Sequence, residues 1–223
     1  MTEATRWWWV RHGPVPDAEG RIMGRLDVDC DCSNKAAING LAALLPRQAV
    51  AVISPLLRTR QTLAAIAAAA GTSADPLIEA DFIEQSFGEW EGSGWTQMQT
   101  RDPDYYARFW IDPTRNAPPG GESFASQIER TAAGIERLSA RFAGRDIVCI
   151  SHGGTIRAAC AYALGLAAET AMTGGMMDRT RFAAALDALA IHGRAPGKTD
   201  LRALFAGDPN RFDRFSLVLD DLL

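Results

Sequence analysis

The sequence predicts an α/β fold, a three-layer sandwich in which a mostly parallel sheet is flanked by helices. Short apolar runs at residues 6–10, 49–53 and 146–150 are typical of buried strands. Turn-forming residues end each run, and helical stretches separate the runs along the chain. Strands that alternate with helices in this way form a largely parallel sheet covered on both faces.

Composition limits the classes of protein that the chain can belong to. Its 223 residues, 47% hydrophobic and 22% charged, suffice for one full domain with length left over. The net charge of -4 argues against a general nucleic-acid binder. The polar start and the lack of a long apolar run predict no signal peptide and no membrane span. We therefore expect a cytoplasmic protein.

The four cysteines do not suggest a disulfide framework or a metal site. Cys30 and Cys32 lie in an acidic loop, Cys149 in a predicted strand and Cys160 in a predicted helix. No second ligand pair follows at a zinc-like spacing, so we expect a reduced protein without a metal.

The predicted elements follow in order along the chain. The first strand, at 6–10, precedes a loop rich in Gly and Asp at 13–33, a helix at 34–45, the second strand and a helix at 57–70 that ends at Gly71. An extended segment at 77–83, a helix at 96–110 within an aromatic-rich region at 86–121, a helix at 123–142, the strand at 146–150 and a helix at 154–164 complete this part. The character changes near 166–176, beyond which the sequence predicts helices and no strand. We therefore predict a catalytic domain at 1–170 and a helical C-terminal extension at 171–223.

Two His-Gly steps stand at the ends of predicted strands. Arg11-His12-Gly13 follows the first strand and His152-Gly153-Gly154 follows the last. Ligands of open α/β sheets bind beyond the carboxyl ends of such strands, so both imidazoles are expected to face one crevice. His192 has no such context, and we interpret it as a residue at a helix end.

Arginines at these strand ends predict a site for phosphate. Arg11 lies beside His12, and Arg58 follows the second strand near the start of a helix, where free N–H groups attract anions. Arg58 and Arg60 point to different faces of that helix, so at most one enters the site, and Arg58 is our choice. Backbone donors at Gly153 add to it.

Two imidazoles beside a phosphate suit phosphoryl transfer through a covalent intermediate. A neutral imidazole is a good nucleophile, and a charged one stabilises the phosphoryl group in transit. The leaving oxygen needs a proton donor. Glu84 is the best candidate, with Glu89 and Glu91 nearby.

Several segments together resemble the histidine phosphatase superfamily, the clan of cofactor-dependent phosphoglycerate mutases. They are Arg11-His12-Gly13, Ser54-Pro55-Leu56-Leu57-Arg58-Thr59, Glu84 before Phe87-Gly88-Glu89-Trp90-Glu91-Gly92, Pro119-Gly120-Gly121-Glu122-Ser123 and Ser151-His152-Gly153-Gly154. The match in order and spacing covers about residues 6–165.

The resemblance implies a role for each of these residues. His12 would accept the phosphoryl group, Glu84 would donate the proton, and Arg11, Arg58 and His152 would form the phosphate pocket. It also implies that no metal or cofactor is needed.

The Phe-Gly-Glu-Trp-Glu-Gly segment resembles the small phosphatases, including the α-ribazole phosphatase branch, more than the mutases, and the longer insertion of the mutases is missing. We therefore expect hydrolysis of a small phosphomonoester metabolite. A phosphoglycerate mutase and a non-catalytic phosphate- or protein-binding module remain the alternatives.

Two departures from the family pattern are visible. Pro14 stands where members commonly carry Glu, in a position that shapes the loop. The tail at about 176–223 resembles the N-terminal helices of glucose-6-phosphate isomerase, as in Leu201–Phe205, Asp208-Pro209, Arg211-Phe212 and Phe215-Ser216, but includes no isomerase active site. The sheet would then lack an edge strand, which favours a homodimer.

Overall fold

The computed structural model describes residues 5–173, in which strands and helices alternate as the sequence predicts. The strands are β1 (Arg6–Arg11), β2 (Val50–Ile53), β3 (Leu77–Ile78) and β4 (Asp146–Ser151). The helices are α1 (Lys35–Leu44), α2 (Leu57–Ala70), α3 (Trp95–Arg101), α4 (Pro103–Ile111), α5 (Phe124–Arg141), α6 (Gly153–Leu164) and α7 (Ala168–Thr173). Short 3₁₀ turns span Ala80–Phe82 and Gly88–Trp90.

The four strands form one parallel sheet in the order β1-β4-β2-β3. The last strand in the chain therefore lies between the first two. Arg11 at the end of β1 is opposite Ser151 of β4, and Ile53 at the end of β2 is opposite Ile150. This register brings the carboxyl ends of the three strands together, and the predicted fold class is confirmed.

Hydrophobic layers cover both faces of the sheet. Within β4, Val148 and Ile150 pack with residues of α1 and α2 on one face, whereas Ile147 and Cys149 pack with residues of α5 and α6 on the other. This alternation follows from the two-residue period of a strand. β4 is hydrophobic on both faces because it is central and covered twice.

The three consecutive tryptophans of β1 also alternate. Trp7 and Trp9 stack with ring centroids 5.2 Å apart, and both contact Phe82 edge-on. Trp8 points to the opposite face, is 37% exposed and donates a hydrogen bond from Nε1 to Asp146. This alternation, too, follows from the two-residue period of a strand.

The aromatic-rich region contains two helices where the sequence predicted one at 96–110. The break lies at Asp102-Pro103, where Asp102 ends α3 and its carboxylate accepts the Tyr105 N–H at the start of α4. Proline is favoured in a first helical turn, which explains the new start. The region has its own small core, formed by Ile22, Trp90, Met98 and Phe109.

The predictions for the tail, including the isomerase-like segments, lie outside the described residues. The domain boundary at 170/171 stays a prediction. Among the helices within 5–173, none combines the length and apolar character that crossing a membrane requires.

Candidate active site

The ends of β1, β2 and β4 bring His12, Ser54 and His152 together. His12 follows β1, His152 follows β4, and their ring centroids lie 5.2 Å apart. The His12 N–H donates to the Ser151 carbonyl at 3.0 Å, which extends the pairing of the two strands. Both side chains are buried, at 7% and 0% exposure. The two His-Gly steps thus meet in one site.

The His12 ring is neutral and held in one orientation. Burial, together with the charges of Arg58 and Arg11, lowers its pKa from 6.5 to about 3 and outweighs the opposing hydrogen bond to Gly13. Its Nδ1 lies 2.6 Å from the Gly13 carbonyl oxygen, which can only accept, so Nδ1 carries the proton. Nε2 therefore keeps its lone pair for attack.

Gly13 is fixed from two sides. Its N–H donates to Thr62 Oγ1 at 2.9 Å. A Cβ at this position would lie only 2.6 Å from the Asp31 carbonyl oxygen, so only glycine fits. The carbonyl that orients His12 is consequently part of a close contact between the loop at 13–33 and α2.

His152 binds Ser54 through one ring nitrogen. Its Nε2 lies 2.7 Å from Ser54 Oγ, whereas its buried Nδ1 has no hydrogen-bond partner among the described residues. Burial, followed by the charges of Arg58, His12 and Arg11, lowers the pKa of His152 well below its ordinary value. An anion in contact with the ring would oppose this shift, because negative charge favours imidazolium.

Two arginines place positive charge beside the imidazoles. Arg58 is 1% exposed and donates to the carbonyls of Leu26 at 2.6 Å and Gly24 at 2.8 Å. The guanidinium carbon of Arg11 lies 3.7 Å from where a Gly153 Cβ would be. The Nε atoms of both arginines are buried without partners in the described part of the chain. These donors are suited to phosphoryl oxygens.

Burial lowers the pKa of both Arg11 and Arg58, and Glu84 is the largest opposing charge. This carboxylate therefore lies within electrostatic reach of both guanidiniums. Its Oε1 accepts from the Gln85 N–H at 2.9 Å and from Gln127 Nε2 at 3.1 Å, and its Oε2 accepts from the Gly154 N–H at 3.2 Å. The Glu84 carboxylate thus lies at the start of α6. There it contacts Gly154, which is two residues after His152.

The backbone of Glu84 is held by a separate ionic group. Arg25 and Arg130 both donate to the Glu84 carbonyl, at 3.0 and 3.2 Å, and both bind Glu122 Oε1 at 2.7 Å. Burial raises the pKa of Glu122, but the contacts with Arg130, the Ser86 N–H and Arg25 together lower it below its ordinary value. Glu122 is therefore a half-buried anion that joins two arginines.

The other carboxylates and the other arginine named as alternatives lie elsewhere. Glu89 and Arg60 are exposed. Glu91 Oε1 accepts the N–H groups of Arg25 and Phe87, each at 3.0 Å, and so holds the loop. At the start of α2, where free N–H groups were expected to attract phosphate, the Leu57 N–H donates to Asp27 at 2.6 Å. The acidic loop thus occupies one of these N–H groups, and phosphate binding at this helix start stays a prediction.

The sequence analysis missed several supporting residues: Ser54 as a partner of His152, Gln127 against Glu84, the Arg25–Glu122–Arg130 group, and Arg157, whose charge lowers the pKa of Arg11. Arg157 had a visible signal, because it lies four residues after Gly153 and hence on the same face of α6. Within residues 5–173, the His, Cys, Asp and Glu side chains form no group of three or more that could hold a metal ion.

A comparison with protein families identifies the chain's relatives. Residues 7–183 match the model of the histidine phosphatase superfamily, branch 1. The chain belongs to this superfamily. The resemblance that the sequence motifs indicated is therefore confirmed at the level of the superfamily.

Individual relatives resemble the chain to different extents. It is 31% identical over 200 residues to a glucosyl-3-phosphoglycerate phosphatase of Mycolicibacterium vanbaalenii, an alignment that covers 84% of this chain and 85% of that protein. A bifunctional protein of Mycobacterium tuberculosis is 32% identical over 152 residues, which cover 66% of this chain and 41% of that protein. The chain thus spans about two fifths of that relative's length.

Solved structures agree with the fold. The α-ribazole phosphatase of Shigella flexneri superposes with a TM-score of 0.65 at 23% identity, covering 75% of this chain and 83% of that chain. This likeness shows the shared fold, and the α-ribazole phosphatase branch stays a prediction.

Proposed function

We propose that the protein is a metal-independent phosphomonoesterase that acts on a small phosphorylated metabolite through a phosphohistidine at His12. The observation that carries this proposal is the neutral His12 ring, whose Nδ1 is bound by the Gly13 carbonyl at 2.6 Å. This arrangement leaves Nε2 as a nucleophile in a site lined by guanidiniums.

The proposed reaction has two steps. His12 Nε2 attacks phosphorus, the bond from phosphorus to the ester oxygen breaks, and Glu84 gives its proton to the leaving alcohol. Water then attacks the phosphohistidine, Glu84 takes a proton from that water, and inorganic phosphate leaves with His12 restored. Arg11, Arg58, His152 and the Gly153 N–H bind the phosphoryl oxygens, whose charge they stabilise in both steps.

Hydrolysis is favoured over a mutase reaction by the relatives. The phosphatase of Mycolicibacterium vanbaalenii aligns with most of this chain and is named for hydrolysis. Its substrate, glucosyl-3-phosphoglycerate, and α-ribazole phosphate belong in the first panel of metabolites to be tried. The shared feature of such substrates is a phosphomonoester on a polar organic body.

The decisive test is turnover of p-nitrophenyl phosphate with and without EDTA. We expect release of p-nitrophenol that EDTA does not change and that His12→Ala lowers about 10³-fold or more. His12→Asn, closer to the ring in size, controls for loss of folding, which circular dichroism monitors. Turnover that survives both variants would remove His12 as the nucleophile. Stimulation by bisphosphoglycerate with phosphoryl exchange would indicate the mutase instead.

A further inference from the structure

Two cysteines that the proposed reaction does not use lie against its nucleophile loop. Cys30 and Cys32 are half-buried, and their Sγ atoms are 3.6 Å apart. The intervening chain is neither helix nor strand. A disulfide needs the two sulfurs about 2.05 Å apart, so the bond requires them to approach by about 1.5 Å.

Both sulfurs contact the groups that hold Gly13. Cys30 Sγ donates to the Arg58 carbonyl at 3.2 Å and lies 3.5 Å from Thr62 Oγ1. Cys32 Sγ lies 4.0 Å from the same Thr62 oxygen and would be 3.3 Å from a Cβ at Gly13. Thr62 Oγ1 in turn accepts the Gly13 N–H. The sulfurs are thus linked to the residue that orients His12.

The loop around the two cysteines is anchored on both sides. The Cys30 N–H donates to Gln61 at 2.9 Å, and the N–H of Asp31, between the cysteines, donates to the Pro14 carbonyl at 2.7 Å. A change at the sulfurs is therefore passed to Pro14 and Gly13 because the loop is not free to absorb it.

We propose that Cys30 and Cys32 form a reversible disulfide that displaces the Gly13 loop and lowers the activity of the site. The oxidant is a peroxide. One thiolate attacks a peroxide oxygen, giving a sulfenic acid and water, and the second sulfur then displaces the sulfenic oxygen as a second water. The two thiols together lose two electrons and two protons, and hydrogen peroxide becomes two waters. A dithiol restores both thiols by exchange.

Burial, the largest cause, raises the pKa of Cys30 to about 11 and outweighs the opposing hydrogen bond with Thr62. Cys30 is therefore a slow nucleophile at neutral pH, since the thiolate is the reactive form. Formation of the disulfide removes the S–H that Cys30 donates to the Arg58 carbonyl.

The test begins with the chemistry of the thiols, which does not depend on the proposed function. The reduced full chain is treated with hydrogen peroxide, free thiols are alkylated, and the tryptic peptide 26–35, which contains both cysteines and neither of the others, is weighed. We expect a mass about 2 Da below that of the reduced, unalkylated peptide, reversed by dithiothreitol. Complete alkylation of both cysteines after peroxide, or sulfinic acid without a disulfide, would overturn the proposal.

The second readout is turnover of p-nitrophenyl phosphate, which rests on the proposed function. Peroxide is expected to lower kcat about five-fold or more in the parent and in the control Cys160→Ser, reversibly with dithiothreitol. Cys30→Ser and Cys32→Ser should resist this reversible loss. Equal, reversible loss in either of these variants would refute the regulatory part. If no variant turns over substrate even when reduced, the proposed function fails while the peptide mass still decides the disulfide.

Discussion

At the residue scale, the contact between Gly154 and Glu84 is the most sensitive point of the site. A Cβ at Gly154 would collide with Glu84 Oε1 and would lie 3.1 Å from the Gln127 amide. Glu84 also receives the Gly154 N–H, so the missing side chain is what allows the carboxylate to approach the start of α6. The neighbouring glycine is different, because a Cβ at Gly153 would be in ordinary contact, 3.7 Å from Arg11.

We therefore expect Gly154→Ala to displace the Glu84 carboxylate and to lower kcat about 10²-fold, in the range of general acid–base contributions. Its KM should change little, since Arg11 and Arg58, the proposed phosphate-binding residues, stay in place. Gly153→Ala is the matched comparison and should lose much less. Steady-state kinetics of both variants on p-nitrophenyl phosphate would measure the difference. Equal losses in the two variants would contradict a specific role of the Glu84 contact.

At the element scale, the segment after β3 has no long helix or strand of its own and depends on side chains from elsewhere. Ser151 at the end of β4 donates to the Phe82 carbonyl at 2.9 Å, and Thr155 of α6 donates to the Ile83 carbonyl at 3.0 Å. Arg25 and Arg130 hold the next carbonyl and meet at Glu122. Glu84 is thus positioned by four other parts of the fold: β4, α6, the loop at 13–33 and α5.

Glu122→Gln should loosen this segment without altering the proposed phosphate pocket. The substitution removes the anion between two half-buried guanidiniums, and breaking such a pair costs about 3 kcal/mol of unfolding free energy when it is fully buried, less here because both arginines are partly solvated. We expect a lower midpoint in urea and a lower kcat with unchanged affinity for inorganic phosphate. Asp112→Asn, which breaks an exposed ion pair with Arg115, is the control. A fall in phosphate affinity as large as the fall in kcat would argue against a positioning role.

The elements also show what a sequence can and cannot predict. The strands and most helices were predictable because apolar runs and caps are local, as at Gly71, which has φ 67° and ends α2. The break before Pro103 had a local signal, the Asp102-Pro103 pair, which the prediction of a single helix did not take into account. Ser54, Gln127 and Arg25 act through partners far away in the chain, so no local pattern indicates them. The nearness of His12 and His152 was predictable because both follow strands of one parallel sheet.

At the scale of the whole molecule, two uncharged histidines are buried beside positively charged arginines. This arrangement lowers the free energy of unfolding in acid. The pKa of His12 is about 3 in the folded state against 6.5 in the unfolded chain, and that of His152 is shifted in the same direction. Between these pH values the unfolded chain binds protons that the folded protein does not. The free energy of unfolding must therefore fall as pH falls from 6.5 towards 3.

The size of this effect can be measured at pH values above those at which the carboxyl groups with a lowered pKa titrate. Between pH 7 and pH 5, His12 alone should lower the free energy of unfolding by about 2 kcal/mol. In urea unfolding at the two pH values, His12→Gln should reduce the loss by that amount. Vanadate, as a phosphate mimic, should also reduce the loss in the parent, since a bound anion favours the protonated rings. A loss that neither the substitution nor the anion alters would mean that the histidines are not the groups that titrate.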